Sequence, residues 1–541
     1  MKSALALVLA LSLVFLAGCG TSGSTTPPPP AMYTISGTLA NLAGSTGIVL
    51  QDNGADNLQV TANGSFRFST TVASGSPYSV TVLTQPASPT QQCTVANGGG
   101  SATGNITNVK VECGHNEWEW MAGSQAVNQI GTYGTLGTPA PGNTPAGRQQ
   151  SATWTDASGN LWLFGGYGYD SNGSLLPMND LWEFSAGEWT WKGGPTLDGQ
   201  SGNYGSLGVA SANGIPGARL EAAAWTDSSG NFWLFGGVGY DSVGQETDLN
   251  DLWKYSAGEW TWMGGSSVGN QHGQYGTLGI ADPSNHPGGR DMAAIWKDLS
   301  GDIWIFGGIG FDESSPFNDE LSDLWKYSGG LWTWMGGPKV QRQKGVYGTQ
   351  GTASASNIPG SRFAAYNWID ASGNLWLFGG SAMDSNGTGG YMNDLWKYNN
   401  GQWTWVAGGK VVNQAGVWGT QGIAAANNIP GPRWGGVTWT DALGNGWLFG
   451  GTALDATSHY GFADDLWKYS GGQWTWVSGS NAANPNSTFG NEGTLDPGNA
   501  PGGRFCLNRW TDANGNLWLF GGYGQVPGTT GNLNDMWMYM P

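Results

Sequence analysis

Residues 216–262 run Pro216-Gly-Ala-Arg219, Ala222-Ala-Ala-Trp225-Thr-Asp227, Gly230-Asn-Phe-Trp-Leu-Phe-Gly-Gly237, Asn250-Asp-Leu-Trp-Lys-Tyr255 and Gly258-Glu-Trp-Thr-Trp262, and this passage recurs. Its arginine reappears as Arg148, Arg219, Arg290, Arg362, Arg433 and Arg504, at spacings of 71, 71, 72, 71 and 71 residues. The Gly-Gly pairs end at Gly166, Gly237, Gly308, Gly380, Gly451 and Gly522. Six copies at a fixed period signal a propeller or a solenoid. Each copy holds four short aromatic strand candidates, a to d. Strands a, b and c carry one Trp each, as at Trp225, Trp233 and Trp253, and strand d carries two, as at Trp260 and Trp262. That arrangement uses 30 of the 32 tryptophans, so the Trp positions are architecture. Runs such as Leu161-Trp-Leu-Phe164 are apolar on both faces, as stacked four-stranded sheets require.

The order of strands at the ends specifies the closure. A lone strand d, Glu117-Trp-Glu-Trp120, precedes the first copy, and the last copy stops after strand c, Asp535-Met-Trp-Met-Tyr539. The expectation is that the first strand completes the last sheet and removes an exposed edge. The Gly-Gly doublet closing strand b, the Tyr ending strand c (Tyr255, Tyr327, Tyr398, Tyr469) and the Trp of strand d resemble the Kelch repeat. The resemblance covers residues 117–541 and implies an all-β fold. It predicts a six-bladed Kelch-like β-propeller over 114–541, closed by the N-terminal strand and similar to the central propeller of galactose oxidase. These units are longer than the usual ~50 residues, and the excess lies in the d–a connection.

Outward from the repeats, Tyr33 to Cys113 alternates short apolar strands with turn signals at Asn53-Gly54, Asn63-Gly64 and Ser74-Gly75. This predicts a small β-sandwich over 33–113, resembling the immunoglobulin-like or transthyretin-like modules of bacterial surface lipoproteins. Export permits a disulfide between Cys93 and Cys113. Cys506 is expected in a strand as a buried apolar thiol. Residues 1–18 read as a signal peptide, with one Lys and an uncharged apolar run from Ala4 to Ala17. Leu16-Ala-Gly-Cys19 resembles a lipobox, which implies lipid on Cys19 as the membrane partner. Gly20 in place of Asp then implies the outer membrane of the bacterial envelope. Residues 19–32, Gly/Ser-rich and then Pro27 to Pro30, form a tether.

Charged residues are 11 % and the net charge is −18, which speaks against nucleic acid as a partner. The long d–a and b–c connections emerge on one face, and function belongs there. The d–a loops repeat an aromatic-Gly step at Tyr133, Tyr204, Tyr275, Tyr347, Trp418 and Phe489. Six such rings can stack on a glycan or grip a protein; their recurrence in every copy favours rings that pack beneath their own loops and pin them. The arginines are expected to bond carboxylates or carbonyls between blades. Asp156 and its equivalents start the a–b turns. Asp170-Ser-Asn172-Gly173 and Asp384-Ser-Asn386-Gly387 faintly resemble calcium loops, without the rest of the pattern. The b–c loops differ most between copies, so specificity is expected in them.

The propeller histidines are His272, His286 and His459. Galactose oxidase needs His and Tyr copper ligands and a Cys joined to a Tyr, so neither a metal nor another cofactor is expected. No catalytic residue stands out, and no departure from sixfold regularity marks a site. The sequence favours a non-enzymatic envelope protein that binds a glycan or protein. The alternatives are a hydrolase or oxidase at the channel mouth, carboxylate pairs for glycoside hydrolysis included, and a structural envelope component.

Overall fold

The computed structural model describes residues 30–40, 42, 47–86, 91–114, 117–441, 443–494, 496, 498–512 and 515–541. The signal peptide, Cys19 and all of the tether before Pro30 lie outside the described residues, as does His115. The described chain is all-β and divides into two compact units, one ending at Gly114 and one beginning at His115.

The first unit contains β1 (Met32–Ala40), β2 (Ile48–Asp52), β3 (Asp56–Val60), β4 (Gly64–Ala73), β5 (Pro77–Thr84), β6 (Gln92–Ala96), β7 (Gly99–Ser101) and β8 (Ile106–Gly114). They form two four-stranded sheets, β4-β1-β8-β6 and β3-β2-β5-β7. β1 runs parallel to β8; the other pairings are antiparallel. Ile35 and Val109 from one sheet and Ile48, Leu50 and Val80 from the other meet in one buried core. Alternating burial along β2 and β5 gives each strand one face to that core. Cys93 and Cys113 stand opposite each other on β6 and β8 and are disulfide-bonded.

The second unit begins with β9 (Glu117–Ala122) and continues as six similar copies of antiparallel strands, a single five-stranded sheet in copies one, two and four and a three-stranded plus a four-stranded sheet in copies three, five and six. In the second copy, strand a is Ala223–Thr226, b is Phe232–Tyr240, c is Glu246–Ser256 and d is Glu259–Gly264. A two-residue rim strand, Arg219–Leu220, pairs with the far half of strand b. The sixth copy has no strand d of its own; β9 lies beside Met536–Met540, with Trp118 opposite Tyr539 and Trp120 opposite Trp537. Strand c contributes the most deeply buried rings, Trp182, Trp253, Trp325, Trp396, Trp467 and Trp537, all at 0 % exposure. Each large ring buried this way stabilises by roughly 3 kcal/mol or more.

Neighbouring copies are joined on the inside. Strand a of each copy packs against strand a of the next, and the sixth against the first. A cycle of backbone bonds lies just before these strands. Glu221 N–H donates to Gln150 O, Met292 to Glu221, Ala364 to Met292, Gly435 to Ala364, Cys506 to Gly435 and Gln150 to Cys506. All six residues sit at φ between 47° and 71°. Only Gly435 adopts that conformation without strain, so the cycle holds five non-glycine residues in the left-handed region. These features make the second unit a propeller-like fold.

Candidate functional site

The d–a loop aromatics are set by burial. Tyr275 is 1 % exposed, and Tyr133, Tyr204, Tyr347 and Trp418 are buried with it. Phe489 is partly covered and packs on Trp120 and Trp537, 5.2 and 5.1 Å between ring centroids. No ligand can stack on the five buried rings while their loops stay closed. Each tyrosine hydroxyl donates to one aspartate: Tyr133 to Asp180, Tyr204 to Asp251, Tyr275 to Asp323 and Tyr347 to Asp394, at 2.7–2.8 Å. Burial first, and that carboxylate second, push the four phenols far above their ordinary range.

The same aspartates hold the marker arginines. Arg219 Nη1 and Nη2 donate to Asp251 Oδ1 and Oδ2 at 2.7 and 2.8 Å, and Nη1 also donates to Gly236 O. Trp253 Nε1 completes the set on Asp251 Oδ2 at 2.7 Å. All six copies repeat the bidentate pair, fully buried. The arginine, glycine and aspartate belong to one copy, so each pair ties a copy to its own loops; the sequence-based expectation of bonds between copies is corrected. The reason is reach: the rim strand pairs with strand b of its own copy.

The turn acids are similarly occupied. Asp227 Oδ1 accepts from Ser229 N and Asn231 N, and Oδ2 from Trp233 Nε1. Against the pull of burial, these bonds hold its carboxyl below the usual range. In the b–c loops, Asp384 Oδ1 accepts from Asn386 N and Thr388 N, and Oδ2 from Val412 N. Asp170 Oδ1 is bonded alike by Asn172 N and Ser174 N. Backbone N–H groups thus occupy the oxygens that a calcium loop would present.

The three propeller histidines are engaged locally. His272 Nδ1 lies 3.2 Å from Asp312 O, His286 Nδ1 3.2 Å from Pro287 O and His459 Nδ1 2.8 Å from Thr457 Oγ1. Among the described residues no three His, Cys, Asp or Glu side chains are grouped to hold a metal ion. Cys506 lies in the backbone cycle rather than in a strand. Its Sγ accepts from Gln150 Nε2, and burial pushes the thiol up.

One cross-strand row departs from sixfold regularity. It takes the residue after each marker arginine and the residues opposite it on strands b and c. In copies one to three the row reads Gln149–Tyr167–Pro177, Leu220–Val238–Asp248 and Asp291–Ile309–Glu320. In copies four to six it reads Phe363–Ser381–Tyr391, Trp434–Thr452–Phe462 and Phe505–Tyr523–Asn532. The row carries acids in copies two and three and mostly aromatic rings in copies four to six, around the backbone cycle.

The aromatic arc is continuous and partly exposed throughout. Trp434 lies 6.0 Å from Phe363, 6.3 Å from Tyr391 and 5.5 Å from Phe505. Phe462 stacks on Phe505 at 5.2 Å, and Tyr523 adjoins both. On the acidic arc Asp248 and Asp291 are buried, the latter at 5 % exposure. Glu221, in the cycle itself, accepts from Gln150 Nε2, and Asp248 Oδ2 accepts from Asn318 Nδ2 at 2.6 Å. Among the described residues no cation pairs with Glu221, Asp248 or Asp291. Burial raises all three: Glu221 to about 8, Asp248 to about 6, and Asp291 well above the carboxylate range with Glu221 and Asp248 adding repulsion. Asp291 Oδ1, Glu320 Oε2, Trp434 Nε1 and Asn532 Oδ1 are buried without a partner. These are four of the fourteen such atoms among the described residues, and each is open to completion by a ligand or water. A cavity of about 480 Å³ opens beside Asp248, between Thr247 and the b–c loop residues Phe317 and Asn318.

No family model and no curated protein matches the chain. Solved structures do. The structure of YjhT is 14 % identical, covers 73 % of this chain and 95 % of its own, and gives a TM-score of 0.41. A protein of unknown function from Dyadobacter fermentans is 9 % identical over 79 % of this chain and 98 % of its own, at 0.41. A fungal alcohol oxidase of the AA5 family, in complex with copper, is 14 % identical over 72 % of this chain, at 0.36. This chain spans 62 % of that oxidase.

Proposed function

We propose that the second unit is a six-bladed Kelch-like propeller, closed by β9, that binds carbohydrate on the face carrying the split row. Lipid on Cys19 would anchor the protein to the envelope, with the first unit as a spacer. The observation that carries the binding reading is the row itself, in which partly exposed aromatic rings of copies four to six adjoin unpaired carboxyl groups of copies two and three. A sugar presents one apolar C–H face and a rim of hydroxyls; the rings match the first and the carboxyl groups the second. Carboxyl groups kept protonated near neutrality can donate as well as accept, which suits hydroxyl ligands.

The test is a glycan array with the purified protein and its Trp434→Ala and Tyr391→Ala variants. The expected result is binding to a restricted set of glycans, weakened at least tenfold by Trp434→Ala without loss of folding, and unchanged by Tyr133→Phe. Equal binding by the wild type and Trp434→Ala would remove the site from this row.

A second reading has its own observation. Glu221 near 8 beside Asp248 near 6 gives a proton donor and a more readily ionised carboxylate in one place, the separation that acid–base catalysis uses. Hydrolysis of a bound glycan that is lost in both Glu221→Gln and Asp248→Asn, with binding retained, would make the protein an enzyme.

A further inference from the structure

The wall of the channel below the backbone cycle is built by alternate residues of the six a strands. At the upper level stand Thr153, Ala224, Ile295, Asn367, Thr438 and Arg509, each five residues after its marker arginine. Three of them tie copy to copy: Thr153 Oγ1 donates to Arg509 O at 2.8 Å, Thr438 Oγ1 to Asn367 O at 2.5 Å, and Asn367 Nδ2 to Ile295 O. Two residues further on, Thr155, Thr226, Lys297 and Thr440 make the same kind of bond to the preceding copy.

Arg509 departs from this scheme. Its chain is too long for the short cross-copy bond, and among the described residues its guanidinium has no hydrogen-bond or ion-pair partner. It lines a cavity of about 530 Å³ together with Lys297, from the third copy. The third and sixth copies stand opposite each other in a sequence of six, so the two cations reach in from opposite walls. Lys297 Nζ spends one proton on Thr226 O at 2.7 Å and keeps two. No Asp or Glu lines this cavity; its other walls are Thr, Ser, Ala, Ile and Trp side chains. Burial alone holds Arg509 down, to about 10, with no acid to restore it. Arg509 is partly buried and Lys297 exposed, and an unpaired guanidinium in a partly covered site is costly unless water or an anion completes it. In a chain of net charge −18, a cavity with two cations and no carboxylate is a local inversion.

We propose that this channel cavity binds a small oxyanion, a phosphate- or carboxylate-bearing solute, forked by Arg509 and neutralised from across the channel by Lys297. The guanidinium offers two parallel N–H donors to such a group, and Lys297 acts as a point charge. The site is separate from the split row and lies toward the a–b turns, so its occupancy does not depend on carbohydrate binding.

The probes are inorganic phosphate and malonate, titrated calorimetrically into the purified protein at low ionic strength and pH 7.5. Saturable binding at one site per chain is expected for at least one of them. Arg509→Thr should weaken it at least tenfold, and Lys297→Ala several-fold. Threonine already occupies this level in copies one and five, so Arg509→Thr is expected to fold. Its thermal midpoint in anion-free buffer should match or exceed that of the wild type, because it removes an unpaired charge. Arg509→Lys should retain weaker binding. Absence of saturable binding by both probes, equal binding by wild type and Arg509→Thr, or a lower anion-free midpoint for Arg509→Thr would each overturn the proposal.

Discussion

Two regions a few residues apart in sequence obey opposite rules. At Arg148, Arg219, Arg290, Arg362, Arg433 and Arg504 the same buried pair with aspartate is rebuilt six times. At the very next residue the chain places Gln, Leu, Asp, Phe, Trp and Phe. The first set is closed: every acceptor is used, and the side chains lie out of solvent. The second is partly exposed at every position but Asp291 and holds polar atoms without partners. A repeat protein needs its scaffold terms in every copy, because each copy depends on its neighbours for its core. A ligand that is not sixfold needs the opposite. Regularity therefore marks what holds the fold, and its failure at a partly exposed row marks where to look for function.

The largest effect that can break this contrast is at the ion pair. Asp323→Ala leaves Arg290 buried without its carboxylate and Tyr275 and Trp325 without an acceptor. The expected loss is about 3–5 kcal/mol, read as a fall in thermal midpoint. Trp434→Ala, whose ring is partly exposed, should cost clearly less. Comparable losses would mean that the row is scaffold too. Next in size is Tyr275→Phe. It keeps the ring packed 4.9 Å from Trp325 but removes one donor from Asp323. The expected cost is about 1.5–3 kcal/mol for a hydrogen bond to a charged group, by chemical denaturation. The sixth copy already carries Phe489 at this position and adds Ser487, whose hydroxyl accepts from Arg504 Nη2. A cost near zero in Tyr275→Phe would show that the hydroxyl is dispensable elsewhere as well.

The scaffold was readable because each of its requirements recurs. The Trp positions, the strand order and the placement of β9 beside the last strand follow from the period and from the incomplete first and last copies. The partner of each arginine was not readable as such. Asp251 sits in the Asn250-Asp-Leu-Trp motif of its own copy, but its separation of 32 positions from Arg219 conceals that the rim strand folds back onto strand b of that copy. The recurrence of the loop tyrosines already favoured rings packed beneath their own loops, and five of the six aromatics are buried there; their hydroxyl bonds to the ion-pair aspartates were not readable. The split row was hidden for a geometric reason. Phe363, Tyr391, Trp434, Phe462, Phe505 and Tyr523 come from three different strands, and only the register brings them onto one face. The signal that could have found them was the position after each marker arginine, where Asp291 stands apart from Phe363, Trp434 and Phe505.

The smallest expected effect has the opposite sign and sharpens the comparison most. Glu221 titrates near 8 in the folded protein against an ordinary value of 4.5. A carboxyl raised on folding favours the native state fully below its unfolded pKa, and that contribution is lost as pH rises to the folded value. Asp291 and Asp248 are raised as well and act in the same direction. The thermal midpoint should therefore decline between about pH 4 and pH 8. Glu221→Gln removes the largest repulsion that Asp291 feels while keeping an acceptor for Gln150 Nε2. Its midpoint should exceed that of the wild type at pH 8, fall less steeply with pH, and differ little at pH 4. The gain should be about 1 kcal/mol, because Glu221 remains partly exposed and water screens the repulsion. The ion pairs make the contrasting prediction, since removing a carboxylate there destabilises. A carboxyl group whose removal stabilises the fold is retained for something other than the fold. If Glu221→Gln instead destabilises at pH 8, Glu221 belongs with the ion pairs as scaffold, and the split row loses one of the perturbed acids beside it.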